Sequence, residues 1–172
     1  MGMSGAGFIL LINLSVAGLF CTSFLVIAAR DRRCLSARWF AATYIFGIAY
    51  AVLEMVLPVF PHPALGVFLG QQAFVIALLM LVIGLARRYE AVPPRLALGA
   101  AMAASVVAGL LLIDMPRTSF WRNFLYQAPP FVMEVIGLYI VLRASATRAA
   151  GRGAIDTLLA VCLGLAALHF LL

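Results

Sequence analysis

The chain has 172 residues, 66% of them apolar and 10% charged, with a mean hydropathy of +1.13. Such a composition excludes a water-soluble domain and leaves lipid as the solvent. The formal charge of +6 comes from twelve arginines against six acids; the arginines flank apolar runs without interleaved aromatic side chains, so they mark topology and exclude nucleic acid as a partner.

The first apolar run, residues 5–29, has no basic residue before it and Arg30, Arg32 and Arg33 directly after it. A secretory leader has the reverse charge order, so the run predicts an uncleaved first span with its N-terminus outside. Asn13 falls in its outer third. The second span, residues 36–57, opens on SARWF, with Trp39 at the inner interface, and ends in the proline-rich LPVFPHP. Thr43, Gly47, Tyr50 and Glu54 fall on one helical stripe of this span, with the carboxylate near the outer end.

The third span, residues 62–86, returns to Arg87 and Arg88 and carries a stripe of small residues (Gly66, Gly70, Ala73, Ala77, Gly84) that predicts a packing face. Gln71 and Gln72 put two amides in its outer half. The fourth span, residues 95–113, follows the turn RRYEAVPPR and is almost without polar groups, which suits a close-packed scaffold or a lipid-facing helix; Asp114 ends it. The fifth, residues 121–143, carries Gln127, Pro129, Pro130 and Glu134. Two adjacent prolines remove two backbone donors, so a kink is expected at this hinge, with the carbonyls of Leu125 and Tyr126 left for protein, water or ligand to satisfy. The sixth span covers residues 153–172.

By this reading ten arginines flank the inner ends of the spans, and Arg117 and Arg122 lie outside. The bias predicts one transmembrane domain, an all-α integral membrane bundle of six helices, N-out and C-out. Cys21, Cys34 and Cys162 are too scattered for a disulfide framework.

At ~1.5 Å of rise per residue, Asn13, Gln71, Gln127 and His169 all lie roughly 8 to 12 Å beneath the outer surface. Glu54 sits slightly above that layer, His62 at the rim and Glu134 near mid-membrane, which together predict an outward-facing pocket. The competing reading is that amides and carboxylates bond across helices as packing glue, Glu54 simply reaching the interface. Glu134 lies too deep for that, and no basic residue shares its depth, so a neutral, hydrogen-bonded acid is expected. His62 and His169 are the candidate haem or metal ligands; with no CxxCH motif and no further ligand cluster, no cofactor is predicted. GxSxG, P-loop and HExxH motifs are absent, so no catalytic residue is assigned.

SARWF followed by Tyr44, Gly47, Tyr50 and Glu54, then WRNFLYQAPPF with Glu134, then ALHF, resembles the N-terminal membrane sensor region of alphaproteobacterial GGDEF diguanylate cyclases. The resemblance implies a bacterial inner-membrane location and a role as the input part of a cyclic di-GMP signalling protein. No GG(D/E)EF loop occurs here, so no cyclase residue carries over, and a C-out bundle would need a further helix to reach a cytoplasmic head. The function expected is a non-catalytic sensory or regulatory module that binds a small apolar or amphipathic ligand, and a homodimer is compatible with it. The alternative is a small transporter or an accessory subunit of a membrane complex.

Overall fold

The computed structural model describes residues 5–31, 33–59, 61–113, 115–116, 118–146 and 153–170. Arg32, Asp114, Arg117, Arg148, Arg152 and Leu172, which entered the topology argument, lie outside them. Among the described residues six α-helices make up the fold, α1 (Gly5–Arg30), α2 (Leu35–Val56), α3 (Pro63–Arg88), α4 (Arg95–Leu112), α5 (Phe120–Ala146) and α6 (Ala154–His169), with one 3-10 turn at Leu57–Val59. Among the described residues there is no strand.

The protein is a multi-pass helical membrane bundle. Helices α1 to α5 are long and apolar enough to cross a bilayer. Helix α6 has 16 residues, roughly 24 Å at the usual rise and short of the ~30 Å of a hydrocarbon core. Large apolar side chains stand exposed along the outer faces, as lipid requires, Leu19, Leu110 and Leu158 among them. The hydroxyls of Ser15, Thr22 and Ser23 on exposed parts of α1 donate to the carbonyls of Leu11, Gly18 and Leu19 in their own helix. Serine and threonine enter an apolar medium at little cost when they bond back in this way.

The helices end where chemistry dictates. Pro63 occupies the first turn of α3, where a missing N–H costs nothing. At the other end of α3, the amide of Ala91 donates to Ala86 O (2.8 Å) and that of Glu90 to Arg87 O (3.4 Å), with Glu90 at φ 53°. This is the six-to-one and five-to-two pairing of a Schellman motif, with a glutamate where glycine is usual. Helix α5 runs through Pro129 and Pro130 without ending, and both rings are buried. They still deprive the carbonyls of Leu125 and Tyr126 of helical donors.

Helices α3 and α5 form the centre. α3 packs against α2, α4 and α5; α5 packs against α3, α4 and α6; α1 packs only against α2 among the described residues. The α1–α2 seam is aromatic, with Phe20 and Phe24 against Tyr44 (5.5 and 5.9 Å between centroids) and Phe24 against Phe40 (5.3 Å). The predicted small-residue face of α3 is a packing face: Gly66, Gly70, Ala77 and Gly84 are buried. A Cβ on Gly84 would come within 2.8 Å of the Phe40 ring, and one on Gly109 of α4 within 2.7 Å of Phe68. The core lies between α3, α4, α5 and α6, around Val75, Val82, Leu85, Met133, Val141 and Leu163. Helix α4 is both scaffold and lipid-facing, with Ala101, Ser105 and Gly109 inward and Val107 and Leu111 outward.

Candidate functional site

At the Pro63 end of α3, the predicted outer end, three helices bring polar side chains together. The stripe on α2 delivers Tyr50 and Glu54 onto α3, where Gly70 leaves room for them: a Cβ there would meet Glu54 Oε1 at 3.7 Å and the Tyr50 ring at 3.8 Å. Tyr126 of α5 comes near Tyr50, with Glu54 close enough to both to act on them electrostatically. The Tyr50 ring also packs on Phe74 (5.1 Å between centroids), and Phe74 on Phe170 beyond the end of α6 (6.1 Å). The backbones of α2 and α5 do not approach each other. Side chains alone bridge them here.

Beside this cluster Gln71 is 1% exposed, and neither its Oε1 nor its Nε2 has a hydrogen-bond partner. Glu134 is buried on α5, and its Oε2 is likewise without a partner. Three residues further along the same face, a Cβ on Gly137 would lie 3.4 Å from Leu85 and 3.9 Å from Leu163. Glu134 therefore stands one turn from an apolar wall built by α3 and α6. Its burial agrees with the depth argument, but the hydrogen bond expected of it is not made by Oε2.

The rest of the predicted layer does not converge. Gln127 is half-buried, while Asn13, His62 and His169 are exposed. Equal depth does not bring residues together: α1 touches only α2, so Asn13 is separated from α5 by two helices. The His169 ring lies 5.9 Å from that of Phe170. Among the described residues, no three side chains of the His, Cys, Asp and Glu types come together as a metal site would require.

Two polar pairings went unforeseen in the sequence. Gln72 Nε2 donates to Ser105 O (3.1 Å) and Ser105 Oγ to Gln72 Oε1 (3.3 Å), tying α3 to α4. At the arginine-bearing end, Tyr89 donates to Asp156 Oδ1 at 2.7 Å, with both residues buried. Burial and the Asp156 carboxylate hold the Tyr89 hydroxyl above its ordinary titration range. The available signals were an acid in the first turn of an apolar helix, ordinarily read as a dipole partner, and a tyrosine in an interfacial turn.

No protein-family model matches the chain, and neither a curated protein nor a solved structure is similar to it.

Proposed function

We propose that this chain is a non-catalytic sensory or regulatory membrane module that receives a small amphipathic ligand between α2, α3 and α5. The observation that carries the reading is Gln71. Leaving a buried amide unpartnered costs about 1–3 kcal/mol, a cost a ligand's polar group would relieve. Helix α3 could have carried leucine there at no such cost. Tyr50, Glu54 and Tyr126 supply further polar atoms on one side, and Phe74 and Phe170 an apolar floor. The Pro129–Pro130 pair gives α5 the freedom to answer binding with a change of shape. Placing such a module before a diguanylate cyclase head, in a bacterial inner membrane, rests on the resemblance of SARWF and WRNFLYQAPPF alone.

Thermal unfolding in detergent with decylubiquinone or a medium-chain fatty acid as probe tests the reading. One of the two should raise the melting temperature of the wild type and not that of Gln71→Leu. If neither probe does so and Gln71→Leu is simply more stable, Gln71 is a packing defect and the ligand reading falls. A transporter would instead move the probe across vesicles, which a flux assay reports.

A further inference from the structure

The arginine-bearing end of the bundle holds a cleft of about 560 Å³ between the α1–α2 turn and the α3–α4 turn. Arg33, Arg87, Arg88 and Arg95 line it, with Glu90 the one acid among the lining residues. Among the described residues none of the four arginines forms an ion pair. The carboxylate of Asp31 accepts from the backbone amide of Arg33 (2.9 Å), and the Arg88 guanidinium lies 5.9 Å from the Tyr89 ring centroid. An anion in that space would meet four positive charges from different turns of the chain. Helices α2 and α4 both begin at the cleft without a capping side chain, so their positive ends add to the same field.

The rim is apolar. Leu35 and Val92 line the cleft, and Val92 and Leu96 are 86% and 92% exposed. Side chains of this kind beside a basic pocket match a molecule with an anionic head and hydrocarbon tails.

We propose that this cleft is a binding site for the phosphate headgroup of an anionic phospholipid, with Leu35, Val92 and Leu96 against its acyl chains. Arginine suits the role because its planar fork can take two phosphate oxygens at once. The site is at the opposite end of the bundle from Gln71 and stands independently of the ligand proposed there.

Native mass spectrometry of the full chain, released from phosphatidylcholine discs containing phosphatidylglycerol, tests it. Wild type should retain phosphatidylglycerol over phosphatidylcholine, and Arg88→Gln and Arg95→Gln should each lose roughly fivefold in that preference. Val92→Glu keeps every arginine and changes a side chain that is 86% exposed, so the melting temperature should stay at the wild-type value; it should weaken retention as well. Arg143→Gln removes a charge from the same end of the bundle but outside this cleft, and should leave retention intact. Equal loss in Arg143→Gln and the cleft variants would show a diffuse surface potential and overturn the proposal. So would no preference in the wild type, or unaltered retention in Val92→Glu. Inorganic phosphate and glycerol phosphate are added as competitors; displacement by either at millimolar concentration would overturn the lipid assignment in favour of a soluble phosphate.

Discussion

Glu90 is the residue whose backbone is most at odds with its side chain. A left-handed φ costs a non-glycine residue about 1–2 kcal/mol, and the Schellman turn after α3 demands it. Glu90→Gly should therefore stabilise the protein by about 1 kcal/mol in a thermal or denaturant melt; a loss of stability would mean the carboxylate is needed where it stands. Tyr89, its neighbour, makes stability depend on alkaline pH. Its folded titration range is raised above the usual value of 10.0 by burial and then by Asp156. Between those two values the folded state holds more protons than the unfolded state, so this contribution is complete below about pH 10 and disappears as pH rises further. Melting temperatures at pH 8 and pH 11 should differ more in the wild type than in Tyr89→Phe. At neutral pH the phenylalanine variant should lose about 1–3 kcal/mol, since Asp156 is buried and gives up one hydrogen bond.

Between helices, contact distance is set by glycine. Gly109→Ala would press a methyl group against Phe68 and the Gln72 amide, at 2.7 and 3.0 Å. It should destabilise by about 1–3 kcal/mol and disturb the Gln72–Ser105 pair. Gly99, on the same helix with nothing near its Cβ position, provides the control: Gly99→Ala should be neutral or mildly stabilising. Helix α5 offers a different measurement. With Pro130 in place, no helical amide can donate to the Tyr126 carbonyl, whereas Pro130→Ala supplies one. An isotope-labelled Tyr126 carbonyl should absorb at lower frequency in the variant than in the wild type. Equal frequencies would mean that another donor already bonds this carbonyl.

Across the whole molecule, helix number, helix order and most helix bounds were legible because hydropathy and arginine placement act over some twenty residues at a time. The α3 packing face was legible for a similar reason, since small residues recurred at helical spacing. Partner choice between helices was not. Asn13 and Gln71 looked equivalent by depth, yet one is exposed on the outermost helix and the other enclosed at the centre. Nothing local to either residue encodes that difference. Tyr89 and Asp156 are 67 positions apart, and neither residue type signals the other. Orientation in the membrane remains open to direct measurement. Cys34 borders the arginine-lined cleft, Cys21 is buried and Cys162 lies within α6. An impermeant maleimide applied to intact cells should therefore spare Cys34 and label it only after lysis; labelling from outside would invert the assigned topology.

The pattern of helix contacts also bears on how the protein is made. Among the described residues the backbone of α1 meets only that of α2, and every other close backbone pairing joins neighbours in the chain except that of α3 with α5. The hydroxyls on α1 satisfy themselves, so the first hairpin can rest in the bilayer as soon as it leaves the ribosome, without waiting for a later helix to shield it. Each following helix finds its partner already inserted. Assembly then depends on delayed contacts: α6 brings Asp156 to Tyr89 and Phe170 to Phe74, and before it α5 docks onto α3. A defect there should leave a chain correctly threaded through the membrane yet open to proteolysis between its third and fifth helices.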